Sequence, residues 1–272
     1  MKSIVNKIKI WVFKSNILFI DIMSMNNIIN KYKSIQIISL GATCGVKLFL
    51  NTYGNSGSTH FFDYIGIMAG MLPEIIQSKP IIFEDDYYPE NDDNANLYSW
   101  RTDSRVNRKY LLSFPHYSLK KYTNQQLTDL LNRRMSNFYN NILHNSEQFN
   151  IFIYFEDNHV RYFNPKYNDQ IIKKCVCDCK DINQYVYQQT IFQIKIIQQL
   201  ANNMTNMFPC PFIIIYLSNY LSTDFEYTNN VISIKTTDYY DYSNWEEWKE
   251  IINNTLNKYE DQIIDLIPNA YL

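Results

Sequence analysis

Phe212-Ile213-Ile214-Ile215-Tyr216-Leu217 is the stretch on which the fold turns, because it is apolar at every position. A strand with one face in water alternates apolar and polar residues. An unbroken apolar run of this length therefore reads as a strand buried on both faces, as in a mostly parallel sheet. Phe149-Asn150-Ile151-Phe152-Ile153-Tyr154-Phe155 is a second buried-strand run, interrupted only by Asn150. Residues 35–40 form a third, β-branched and ended by Gly41, and residues 231–235 a shorter fourth. Residues 110–114 read as a further strand stopped by Pro115, which has no N–H with which to continue a ladder.

Helical patterns separate these runs. Residues 124–143 carry Leu127, Leu130, Leu131, Met135, Phe138 and Ile142 along one stripe. Residues 44–52 follow Thr43 as N-cap, residues 182–204 form the longest helix, and helices are also expected over 67–77 and 245–266. Residues 85–96 are acidic and turn-forming and read as a surface loop. Strands alternating with helices specify an α/β fold, a three-layer arrangement of a mostly parallel sheet covered by helices on both faces. Residues 34–272 form one such domain, with no internal repeat. Residues 1–33 form an N-terminal amphipathic helix or tail, dispensable for the fold, since Lys14, Ser15, Asn16 and Asp21 interrupt their apolar stretch. That interruption rules out a span of ~20 apolar residues and fits neither a transmembrane segment nor a signal peptide.

The balance of 25 basic against 27 acidic residues leaves a net charge of −2, which excludes the basic footprint of a nucleic-acid binder. The 23 Tyr and 16 Phe sit in an Asn-, Ile- and Lys-rich background of the kind that A+T-rich genomes of large DNA viruses and protists encode. The aromatic content is therefore not evidence of stacking chemistry. Five cysteines without a disulfide-framework spacing indicate a reducing compartment, the cytoplasm (the host-cell cytoplasm for a viral chain).

In open parallel sheets, sites form where loops leave the carboxyl ends of strands. That rule selects Gly41-Ala42-Thr43-Cys44, Pro115-His116 and Glu156-Asp157-Asn158-His159. Cys44 has the best case for a nucleophile. A helix amino end lowers a thiol pKa, and its unpaired amides at Thr43, Cys44 and Gly45 would hold an oxyanion. A buried Cys packed as a small hydrophobe is the bland alternative. A thiol nucleophile needs a His within hydrogen-bond reach and a group to orient it. His116 and His159 stand on the expected site edge, whereas His60 and His144 read as surface or helix-terminal residues without a role. Asp63, flanked by Phe62 and Tyr64, is the natural orienting carboxylate or, equally, an N-cap for the helix that follows.

The stretch Ile38-Ser39-Leu40-Gly41-Ala42-Thr43-Cys44 resembles the opening of the DUF1796 family, described as papain-like cysteine peptidases. In that family a strand ends in Ser-Leu-Gly with a Cys three residues later. Phe62-Asp63-Tyr64 stands where the family has a Phe-Asp-Trp element, with Tyr64 replacing the usual Trp. Ser113-Phe114-Pro115-His116-Tyr117-Ser118 matches its His segment, and Arg133-Arg134 its Arg pair. The resemblance implies a Cys–His–Asp hydrolase or acyl transferase built on Cys44, His116 and Asp63. Gly41, Thr43, Tyr64 and Arg134 would then lie beside a peptide or glycan substrate. No metal and no cofactor are expected.

Two other readings stay open. One is a glycan- or nucleotide-sugar-modifying enzyme of the same fold class, with a structural Cys44 and with Asp63, His116 and Arg134 on the ligand. The other is a non-catalytic binding module. Cys175-Val176-Cys177-Asp178-Cys179 would place three thiols on one face of an extended segment, yet it lacks the Cys-x-x-Cys knuckle of structural zinc sites and reads as an exposed loop. No P-loop or dinucleotide fingerprint is present.

Overall fold

The computed structural model of the chain describes residues 34–41, 44–52, 59–67, 69–78, 87–89, 105–107, 110, 112–114, 116–117, 120–155, 182–218, 221, 225–228, 230–236, 250 and 254. In chain order the elements are β1 (Ser34–Gly41), α1 (Cys44–Thr52), a 3₁₀ turn (Ala69–Met71) leading into α2 (Leu72–Ser78), β2 (Tyr87–Pro89), β3 (Arg105–Asn107) and β4 (Leu112–Phe114). Then follow α3 (Asn124–Asn137), a π-helix (Phe138–Leu143), β5 (Gln148–Phe155), α4 (Ile182–Met207), β6 (Phe212–Ser218), β7 (Phe225–Thr228) and β8 (Val231–Lys235).

Five strands form one sheet in the order β1-β5-β6-β8-β7. The pairs β1–β5, β5–β6 and β6–β8 are parallel, and β7 closes the row antiparallel to β8. The fold is thus α/β, on a mixed and mostly parallel sheet. The apolar runs land at its centre, where every residue of β6 and all but the first of β5 are buried. Register explains why both faces had to be apolar. Ile38, Phe152, Ile214 and Val231 stand side by side on one face, and Ser39, Ile153, Ile215 and Ile232 on the other. The first row joins a core with Phe61, Phe62, Leu131, Phe138, Ile197 and Leu200. On the second face α1 contributes Phe49, whose ring lies 5.3 Å from that of Phe155.

The helix over 124–143 is present in two parts. Thr123 opens α3 with a capping box, its Oγ1 accepting the Gln126 amide while Gln126 Oε1 accepts the Thr123 amide. From Phe138 the chain widens into a π-helix, and its C-cap amide at His144 donates to the carbonyl of Tyr139, five residues back. The wider turn puts Phe138, Tyr139, Ile142 and Leu143 all into the core. Such widened turns are rare and frequent at functional sites.

Two expectations need correction. Leu112–Phe114 is not a strand of the main sheet: it pairs antiparallel with β3, which pairs with β2, in a separate three-stranded sheet. The carboxyl-end rule therefore does not apply to Pro115-His116. Within the stretch read as an acidic loop, Tyr87–Pro89 forms β2. The strand β7 was not foreseen. Residues 1–33, the segment 156–159 with His159, and the cysteines at 175, 177 and 179 lie outside the described residues. Among the described residues no helix is long and apolar enough to cross a membrane.

Gly41 ends β1 at φ +101°, a left-handed conformation, and a Cβ added there would run into Ile67 Cγ2. The residue read as a substrate contact thus has a conformational and packing reason to be glycine. Gly41→Ala is expected to lower stability by about 2 kcal/mol, combining backbone strain with overpacking. Urea unfolding checks this, and a change below about 0.5 kcal/mol would show that the strand end relaxes freely.

Candidate functional site

The chain leaves β1 at Gly41, and α1 begins at Cys44, as the sequence suggested. Cys44 is therefore the first helical residue beyond the carboxyl end of a strand of the parallel sheet. Thr43, expected to cap this helix and border the substrate, lies outside the described residues. One turn into α1, Lys47 is buried, and its Nζ lies 3.3 Å from Asp63 Oδ2 with the two side chains only 7% and 1% exposed. The same carboxylate oxygen accepts the backbone N–H of His60 at 2.8 Å. Asp63 thereby pins the turn 61–64 against α1. It is not the N-cap of the next helix.

Burial pushes the Asp63 carboxyl above its ordinary value, while Lys47 and the His60 amide pull the other way. His60, read as a surface residue, is in fact buried at 5% exposure. Gln36 explains its state. Gln148 Nε2 donates to Gln36 Oε1, so Gln36 turns its amide nitrogen to His60, 3.0 Å from Nε2. An amide nitrogen only donates, hence Nε2 accepts and the ring proton sits on Nδ1. Nδ1 is buried without a hydrogen-bond partner among the described residues. Burial first, and then the charges of Lys47 and Arg134, hold the His60 pKa down at about 4.

Tyr64 follows Asp63 at φ 63°, a conformation uncommon for an aromatic residue. Its hydroxyl accepts from Asn51 Nδ2 at 3.2 Å, at the far end of α1 from Cys44. Its ring lies 5.2 Å from that of His116, which is solvent-exposed. Arg134 donates from Nη1 to the Tyr117 hydroxyl, and its guanidinium lies 5.7 Å from the Tyr117 ring centroid. Burial raises the Tyr117 pKa, opposed by Arg134.

The structure thus brings Tyr64 against His116 and Arg134 against Tyr117, and ties Asp63 to α1 through Lys47. The partners described for Asp63 are Lys47 and the His60 amide, not an imidazole ring. Sequence reasoning missed Lys47 and His60. The available signal was the helical stripe of Val46, Phe49 and Leu50, which places Lys47 beside buried neighbours. Cys210 is buried, and burial pushes its thiol up to about 12, so it is inert.

Comparison of the chain with family models, with curated proteins and with solved structures gives no match in any of the three.

Proposed function

We propose that the chain is a cysteine-dependent hydrolase or acyl transferase, peptidase-like in the sense that the DUF1796 resemblance implies, with Cys44 as nucleophile. One observation carries the reading: Cys44 is the first residue of α1, just past the carboxyl end of β1. A helix amino end favours the thiolate of a Cys placed there, and α1 has nine residues of aligned peptide dipoles. Cys44 Sγ attacks the substrate carbonyl, and the amides at Thr43 to Gly45 receive the oxyanion. Collapse forms a thioester and expels the leaving group, which takes from His116 the proton that the Cys44 thiol had given it. Water or an acceptor nucleophile, deprotonated by His116, then releases the acyl group.

Asp63 enters this scheme as a positioning residue. Paired with Lys47, it anchors the turn whose next residue, Tyr64, faces the His116 ring. We also infer that helices cover both sheet faces, since the second-face residues Ile151, Ile153, Ile213, Ile215 and Ile232 are as deeply buried as the first. A peptide or glycan substrate, the cytoplasm as site of action and the lack of a nucleic-acid partner belong to the same reading.

Iodoacetamide labelling at neutral pH tests it. Cys44 should react faster than a free thiol of ordinary pKa near 8.5, and Cys44→Ser should remove that fast phase. Labelling of Cys44 at the rate of a small free thiol would remove the nucleophile and with it the proposal.

A further inference from the structure

A cleft of about 580 Å³ opens beside the π-helix, at the amino ends of β1 and β5. Its wall and floor are carboxamides: Gln36, Asn137, Asn140, Asn141, Asn145 and Gln148. Ser146, Glu147 and His144 complete the polar rim, and among the described residues neither Lys nor Arg lines it. Gly41 lies five positions beyond Gln36 on β1, which puts the cleft about 16 Å from the strand end that leads to Cys44.

The floor is preset by a chain of hydrogen bonds. Both hydrogens of the Gln148 amide are engaged, one by Gln36 Oε1 and one by Asn150 Oδ1 at 2.7 Å. Asn150 in turn donates to the carbonyl of Ile142 in the π-helix at 3.4 Å. Gln36 directs one N–H to His60. Among the described residues this leaves one Gln36 N–H as a donor and the Gln148 carbonyl oxygen as an acceptor in the same lining. A hydroxyl group, which donates and accepts at once, satisfies both. In the wall, Asn141 is oriented by donating to Asn137 Oδ1, and Asn145 by accepting the Glu147 amide at 3.1 Å. His144 stands edge-on to Phe208 at 5.5 Å, giving the rim one ring of fixed direction.

From this we propose that the cleft binds an uncharged saccharide. The described lining holds no Lys or Arg and includes Glu147, which argues against phosphates and other anions. Among the described residues Ile142 is the sole apolar one of the lining, which leaves little for the side chains of a peptide. The volume falls within the range of small-molecule sites. The floor is already ordered, so a ligand need not organise it. The site lies apart from Cys44 and does not depend on thiol chemistry.

Saturation-transfer NMR on the full chain, with glucose, galactose and N-acetylglucosamine as probes, tests the proposal. At least one sugar should show saturable binding. Asn140→Ala/Asn141→Ala, which alters two exposed positions, should weaken it about tenfold while leaving the melting temperature in place. Inorganic phosphate and a capped glycine dipeptide should not compete, and Cys44→Ser should bind like the wild type. No transfer to any of the sugars, equal transfer in the double variant, or displacement by the dipeptide would each overturn the saccharide site, whatever the fate of Cys44.

Discussion

Lys47→Met is expected to lower the stability of the protein by about 3–5 kcal/mol, the usual cost of leaving one member of a buried ion pair without its partner. Lys47 and Asp63 are 7% and 1% exposed at 3.3 Å. Removing the ammonium leaves a carboxylate whose Oδ1 already has no hydrogen-bond partner among the described residues. Methionine keeps the length of the lysine stem, so the loss reports charge and not packing. Adding Asp63→Asn should restore most of the stability, because an amide oxygen still accepts the His60 N–H while no charge remains buried. The coupling between the two sites is then large and favours the double variant over the sum of the singles. Thermal or urea unfolding of the four proteins measures it. A Lys47→Met protein within 1 kcal/mol of wild type would mean that the pair is solvated in solution.

Acidification should destabilise the protein through His60. In the fold its pKa is down at about 4, against an ordinary 6.5. Between those values the unfolded chain carries a proton that the native state refuses, so unfolding free energy rises with pH. The contribution of His60 is fully present above 6.5 and is lost as pH falls through about 4. At 1.36 kcal/mol per unit, it amounts to about 3 kcal/mol over that window. The cause is legible in the contacts: a proton on Nε2 would face the amide hydrogens of Gln36, with Lys47 and Arg134 nearby. Asp63 works in the other direction. Its raised pKa means that the native state holds a proton longer, so its own contribution falls as pH rises above the ordinary carboxyl range. His60→Gln, compared with wild type in urea at a series of pH values from 4 to 7.5, isolates the first effect. The variant should show a flatter acid limb, and parallel curves would remove His60 as the cause.

The parts of the fold that were readable from sequence are those in which one run of residues determines its own environment. The strands β5 and β6 are apolar at nearly every position, and few structures other than a doubly covered sheet accommodate that. The start of α1 at Cys44 followed from Gly41 ending a strand and Thr43 preceding a helical pattern. What escaped depended on distant partners or on very short elements. Lys47 reads as a solvated residue until Asp63, sixteen positions later, is folded against it. His60 reads as a surface histidine until Gln36 and the core around Phe61 and Phe62 enclose it. The strands β2 and β3 have three residues each, too few to show a period. The π-helix continues the apolar stripe of α3, and i→i+5 bonding leaves no mark in a six-residue pattern. At the candidate site, Cys44, Asp63 and His116 were chosen by residue type and motif, whereas the ionic tie that holds Asp63 came from the structure.

The ladder between β1 and β5 also shapes how the chain reaches this structure. Gln36 and Gln148, adjacent in the sheet, are 112 residues apart along the chain. At a synthesis rate of about 5–20 residues per second, the first strand leaves the ribosome roughly 6–20 s before its neighbour exists. During that interval Ile38 and Leu40 have no sheet to join, and loop closure over such a separation makes the pairing slow even when the whole chain is free. The β5–β6 pairing is nearer in sequence and involves the most apolar strands, so the sheet has reason to grow outward from β5 and β6. On that order of assembly β1 docks late, and the helix that presents Cys44 reaches its place with it.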